Sequence, residues 1–494
     1  MSSWILKIMF GDGMDRSLPP TQGRALHRPT TLSFLLCGIL FCLLVAVPAP
    51  AADNLQPLEM TIPYGQLTLP RAQQLALDAS PGVAQMLARI DAARAVVEQA
   101  RSTMLPVVSA YASQRWQDVS MQPDWAPLMR YEDSLKSFSS GIQVNWLLFD
   151  GFSRRASILA SEAGVKAAME LTNEARRLLA EAVASAYYQA QLAAEGMLIA
   201  RQNRLFNAQL ESDAEIRWQA GVIAEAEKLN FSVKALQAEN DYLEAQQNFS
   251  IVCTVLAELL ARPEAELSAD LYPVASPPEQ DPTALPATAD EANYALQHRP
   301  DLQAMETKHI ALLLQKQALK GGYFPKIFLS GAYEYDRLDD LAITDQQERS
   351  SYLGFNLTWD LYKGGKRSAK IREIDAQLQQ LDKEMEQKRL AIQSTLKQAR
   401  IRAEAARAIY LRQSHTLKLV QRIRDQIEKA YRAGAATLTR LNEAQTDLVK
   451  VSGAVAASRI SYLQQLESLR AASGRILEDI PLPPISMKEP GFAF

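Results

Sequence analysis

The 494 residues carry a formal charge of −3, which excludes a basic surface for nucleic acid and an acidic tail. A hydrophobic fraction of 48 % is ordinary for folded domains, and the length allows two or three of them. Four histidines (His27, His298, His309 and His415) stand far apart with no metal-ligand spacing, and Cys253 is alone once the N-terminal Cys37 and Cys42 are set aside, so no internal disulfide is expected.

Residues 1–51 read as a cleaved export signal. Arg24 and Arg28 precede an apolar run from Leu32 to Val47, and Ala49-Pro50-Ala51 supplies small residues for cleavage. The run is shorter than the ~20 residues of a spanning helix. Leu36 and Phe41, the residues before the two cysteines, are too large for a lipid-attachment signal. No later segment is apolar enough to span as a helix, so a membrane position would require a barrel.

The first repeat, 52–262, opens with a short helix from Leu69 to Ser80 and a second from Gly82 to Met104. A strand follows over 106–117, then a polar loop containing Pro123 and Pro127, then a strand over 137–149. In the latter, Ile142, Val144, Trp146 and Leu148 share one face, the period-2 pattern of a strand with one apolar side. Phe149 and Gly151 end it, and a helical hairpin is expected over 152–261. Its first arm has Ala168, Leu171, Ala175, Leu178 and Ala182 in steps of three and four, a coiled-coil seam. Gly221 turns the hairpin.

Residues 263–289 form a proline-rich linker, after which the same order returns in 290–474. Helices stop before Pro300 and run on to Leu319, strands cover 325–335 and 351–362, and a hairpin covers 366–473. Ile371, Ile374, Leu378, Leu381 and Met385 make the seam of its first arm, and Leu441, Leu448, Val455, Tyr462 and Leu469 fall seven apart in the second. Gly141, Trp146, Gly151 and Gly221 recur as Gly354, Trp359, Gly364 and Gly434 at one offset, 213 residues. The spacing from Pro81 to Pro106 equals that from Pro300 to Pro325, 25 residues. The chain is an internal duplication with an irregular tail, 475–494.

Each repeat offers two strands near the ~9–11 residues that cross a bilayer at a tilt. Ile327, Leu329, Tyr333 and Tyr335 oppose Ser330, Ala332 and Glu334, the apolar-out and polar-in alternation of an outer-membrane barrel wall. Four strands cannot close a barrel, because the smallest have about eight. Open edges in lipid would leave backbone groups unpaired, so several chains have to share one barrel. Long hairpins with narrow seams need neighbours for the same reason.

The strands after Pro106 and Pro325, the two glycine-to-tryptophan strands ending in Phe149–Gly151 and Tyr362–Gly364, and the breaks Trp218–Gly221 and Tyr431–Gly434 together resemble the TolC-like outer-membrane efflux proteins over about 67–473. The resemblance implies a mainly α fold with a transmembrane β-barrel. It implies a homotrimer whose twelve strands form one barrel in outer-membrane lipid and continue into a twelve-helix periplasmic α-barrel, with short helices, linker and tail as a belt. Such proteins are passive exit ducts of tripartite efflux or type I secretion systems. Their partners are a periplasmic adaptor (membrane fusion) protein and an inner-membrane pump, RND-type or ABC transporter.

The resemblance also assigns roles. The helix breaks, with Trp218, Gly221, Arg432 and Gly434, become the periplasmic tip where the adaptor docks. Tyr431, Glu227 and Glu443 match residues of a closing network and an acidic constriction. Ala436 and Arg440 depart from that pattern, so Arg440 with Glu227 or Glu443 is the alternative latch. Trp146, Phe149, Trp359 and Tyr362 read as an aromatic girdle at the membrane boundary, or as caps of the junction where strand turns into helix. No cofactor or metal is expected, and no nucleophile with its base suggests an enzyme. A pore-less periplasmic coiled-coil adaptor or scaffold is the alternative, although such proteins lack the duplication and the amphipathic strands.

Overall fold

The structure, a computed structural model, describes residues 65–121, 131–268, 271–273, 288–339 and 346–481. The expected signal peptide, the centres of both strand-to-strand loops, much of the linker and the distal tail lie outside these residues. The elements run α1 (Leu69–Ala79), α2 (Pro81–Ser102), β1 (Val107–Met121), β2 (Tyr131–Phe149), α3 (Ser153–Gln219) and α4 (Glu225–Leu259). They recur as α5 (Thr288–His298), α6 (Pro300–Gly321), β3 (Lys326–Asp339), β4 (Gln346–Thr358), α7 (Lys366–Arg432) and α8 (Leu438–Ser473). α3 and α7 are both 67 residues long, about 100 Å each.

The strands form one antiparallel sheet in the order β1-β2-β3-β4, so the repeats meet at the β2–β3 pairing and β1 and β4 are its edges within the chain. The strands extend into segments read as polar loop, because hairpin partners such as Gln117 with Leu135 and Leu338 with Gln346 keep the backbone ladder going. β4 ends at Thr358, leaving Trp359 to Tyr362 outside it. Thr358 pairs with Lys326, and the residue that would pair next is Pro325, which has no N–H to donate.

Pairing puts Val108 and Trp116, Ile142 and Trp146, Leu329 and Tyr333, and Leu353, Phe355 and Leu357 on one face, much of it bare: Leu353 is 78 % and Phe355 75 % exposed. The opposite face carries Ser109, Gln143, Asn145, Ser330, Glu334 and Asn356. On it the Tyr111 hydroxyl donates to Glu334 at 2.8 Å, passing over Gly141 on the strand between them. A Cβ on Gly141 would stand 3.2 Å from the Tyr111 ring and 2.7 Å from the Tyr333 carbonyl, so glycine makes the bridge possible.

The core lies around the middle of α3, where α1 and the segment after α8 pack. Val183, Ala186, Tyr187 and Ala190 meet Leu67, Ala72, Ala76, Leu256 and Leu260. Ala180 meets Leu77, Val83, Ala471, Ile476 and Ile480. Residues read as irregular tail therefore begin with a buried 3-10 turn, Arg475–Leu477. The α7 seam residues Leu378, Leu381 and Met385 are buried, but Leu171 and Leu178 of the α3 seam are exposed. α3 instead buries a stripe of mostly small residues, because it packs against α2, α4, α6 and α8 and needs close approach on several sides.

A buried polar hub joins the repeats beside this core. Asp301 at the start of α6 takes both Arg299 (2.7 and 3.1 Å) and Lys388 of α7 (2.8 Å). Arg299 also donates to the Ala472 carbonyl, and Arg177 of α3 to that of Ala471, at 3.0 and 2.9 Å. These are last-turn carbonyls of α8, at the helix end that favours cations, and that of Ala471 also accepts the Gly474 N–H at 3.1 Å. Burial pushes the Asp301 carboxyl up, but hydrogen bonds from Arg299 and Lys388 outweigh it and hold its pKa at about 2.

Candidate functional site

Two places bring the sequence-selected residues together: the hairpin tips and the strand–helix junctions. Each long helix ends with a glycine at positive φ, Gly221 (72°) and Gly434 (74°). The Val222 N–H reaches the Arg217 carbonyl (2.9 Å), and the Ala435 N–H that of Ala430 (2.8 Å), closing the same left-handed cap twice. Nothing lies within 4 Å of a Cβ built on either glycine, so φ alone calls for it.

The tips pack on each other through Leu210, Ala214, Phe231, Tyr431, Leu438 and Leu441. Tyr431 is 8 % exposed, its ring 4.7 Å beneath the Arg217 guanidinium. Its hydroxyl is buried without a hydrogen-bond partner among the described residues. Burial, with smaller contributions from Asp213 and Glu227, raises its pKa against the opposing pull of Arg217, so the phenol stays neutral. Glu227, on the first turn of α4, thus acts on Tyr431 through charge, not a hydrogen bond. Arg440 pairs with Glu443 one turn away on α8 at 3.3 Å, both exposed. Trp218 lies under the Lys228 ammonium (4.1 Å), which also binds Glu215 (2.7 Å). Arg432 extends from the end of α7 to Glu428 at 2.5 Å.

Arg217 escaped the sequence reading because its counterpart at the repeat offset is Ala430, so duplication gave it no echo. A cation one turn before a helix-ending glycine was the available signal.

At the junctions, the Trp146 indole N–H donates to the Met104 carbonyl (2.8 Å) and that of Trp359 to Tyr323 (3.0 Å). Each acceptor lies two residues before the proline that starts a strand, so both tryptophans tie a strand's end to the helix–strand turn beside it. Phe149 meets Phe152 edge-on at 5.6 Å, while Tyr362 is exposed. Among the described residues no group of His, Cys, Asp and Glu could hold a metal, and no helix is long and apolar enough to cross a membrane.

The profile of the outer membrane efflux protein family matches residues 72–262 and 292–475, one span in each repeat. The chain belongs to that family. It is 26 % identical over 348 residues to the outer membrane efflux protein BepC of Brucella suis, covering 69 % of this chain and 72 % of that one. It is 24 % identical over 432 residues to protein CyaE of Bordetella pertussis, covering 86 % of each. The fold is that of the Campylobacter jejuni CmeC outer membrane channel, with a TM-score of 0.69 at 17 % identity over 82 % of this chain and 85 % of that one. The protein is accordingly an outer-membrane efflux channel extending into the periplasm, and the pore-less adaptor reading falls. Members of this family are passive channels.

Proposed function

We propose that three copies of this chain join edge to edge, β4 of one against β1 of the next, into a twelve-stranded barrel in outer-membrane lipid that continues into a twelve-helix periplasmic tunnel. The observation that carries this is the sheet, a four-stranded wall with two open edges and one bare apolar face. In lipid an open edge leaves every second backbone group unpaired, at several kcal/mol each, and closure removes both edges at once.

The trimer is a passive exit duct of a tripartite system. A periplasmic adaptor docks at the tips around Trp218, Gly221, Arg432 and Gly434, and an inner-membrane pump, RND-type or ABC, supplies the energy. Tyr431, clasped by Arg217 and flanked by Glu227, holds the two tips together and so keeps the tunnel closed. The exposed Glu443, with Arg440 beside it, sets the charge of the narrow end. Trp146, Phe149, Trp359 and Tyr362 mark the membrane boundary.

Cysteine crosslinking across the edges tests the assembly. With Ser113→Cys on β1 and Ser350→Cys on β4, or with the second cysteine stepped to Tyr352 or Asn356, oxidation links chains into covalent dimers and trimers. Cys253 is buried and adds little background. A protein that stays single-chain at every register, with a one-chain mass in detergent, would sink the proposal.

A further inference from the structure

The junction between β2 and α3 holds a cavity of about 450 Å³, whose lining includes Phe152, Arg155, Leu159, Gln317, Lys320 and Phe324. We propose that this cavity is a binding site for an anionic phospholipid, whose phosphate lies between Arg155 and Lys320 while its acyl chains run over Phe152, Phe324 and the apolar face of the sheet.

The chemistry of the lining argues for it. Arg155 and Lys320 are exposed cations on two different helices, α3 and α6, and neither has a carboxylate partner among the described residues. Phe152, Leu159 and Phe324 are exposed apolar side chains at the same opening. A ligand that satisfies both sets carries negative charge at one end and hydrocarbon at the other.

Position argues for the same occupant. A register shift between Leu147 and Phe149 pairs Phe149 with Ile327, on the apolar face, and the edge contact of Phe149 with Phe152 carries that face to the cavity mouth. The mouth therefore opens where the lipid-facing wall gives way to helix. Every lining residue comes from α3, α6 and the segments that adjoin them in one chain.

The backbone argues most directly. Phe152 is the residue before α3 and sits at φ 66°, a left-handed conformation that strains a bulky residue. At the same position before α7 the duplicate has Gly365, φ 76°. The first repeat keeps a strained, exposed aromatic where its twin uses the residue suited to that backbone. Arg155 likewise has Ser368 as its counterpart, and Lys320 has Arg101, which is tied to Glu162 at 2.7 Å. The second set lacks the aromatic and one of the two cations, and its remaining cation is already neutralised by a carboxylate, so only the first junction offers free positive charge beside an exposed aromatic.

The inference rests on the proposed barrel, because only then does the cavity lie at the periplasmic leaflet. Full-length protein in detergent is titrated with short-chain phosphatidylglycerol, short-chain phosphatidylcholine or inorganic phosphate, and adducts are counted by native mass spectrometry. Phosphatidylglycerol should bind at up to one copy per chain, ahead of phosphatidylcholine. Arg155→Ser with Lys320→Gln should weaken it about tenfold or more without changing assembly mass. Phe152→Gly should also weaken it while leaving the trimer equally or more heat-stable, which separates lost binding from lost folding. Equal binding to the charge variant, equal affinity for phosphatidylcholine, or occupancy by inorganic phosphate alone would each overturn the proposal. The same spectra report chain number, so a failure of the trimer is read independently.

Discussion

The two strand–helix junctions have nearly one sequence plan and different company. At the first, Gly151 lies against the end of α6, where a Cβ would stand 2.4 Å from the Gly321 carbonyl, and Ser153 donates to the Ala318 carbonyl at 2.8 Å. At the second, a Cβ on Gly364 meets nothing within 4 Å. The first half of the duplication is finished by the second half of the same chain. The second half finds no equivalent partner among the described residues of its own chain, which the proposed assembly would supply from the next copy. Symmetric sequence with asymmetric satisfaction is thus a physical argument for assembly, independent of the open sheet edges.

That contrast can be broken at several strengths. The largest effect should come from cutting the hub that makes the two halves one body. Asp301→Asn removes the anion from the buried Arg299 and the partly exposed Lys388, at a cost of about 3 kcal/mol. The heat needed to dissociate the assembly in detergent reads this. Because the folded-state pKa is depressed from 3.8 to about 2, this carboxylate's stabilisation is fully present above about pH 4 and fades as pH falls through about 2. The Asn variant should lose that acid-dependent component, and an unchanged acid profile would remove Asp301 from the hub.

Next in size is Gly151→Ala, which combines a backbone overlap with positive-φ strain and should cost about 2 kcal/mol. Gly364→Ala should cost only the strain, about 1 kcal/mol, in any single-chain form. A larger loss confined to the assembled channel would show that a neighbour's helix end closes the second junction.

Trp146→Phe and Trp359→Phe each remove one indole hydrogen bond, about 1 kcal/mol, and should be alike. Unequal losses would mean that one ring does more than tie its turn.

At the tips, Arg217→Ala should loosen the clasp on Tyr431 and raise single-channel conductance in planar bilayers. Glu443→Ala should reduce cation preference, read as a shift in reversal potential. Tyr431→Phe should change least, because the hydroxyl it removes has no partner among the described residues. A large leak in that variant would require a hydrogen bond that forms only between copies.

The sequence by itself determined the duplication, the amphipathic strands, the turn glycines and the family, because each is a local pattern: period two, steps of three and four, a positive φ. The proposed oligomer also starts from the sequence, since four strands with an apolar face cannot satisfy their own backbone in lipid. Only the tertiary structure decided which face of α3 is buried. Leu171 and Leu178 fit a seam as well as any residues, yet with helices on several sides the close-packing stripe of alanines went inward. Arg217 over Tyr431 and Arg177 with Arg299 on the end of α8 were illegible for a related reason: their partners are remote in the chain, and a cation's sequence neighbours do not say whose carbonyl or ring it will reach. Phe152 was visible as a letter beside a glycine, but its strain appears only as a backbone angle, and its meaning only beside Gly365.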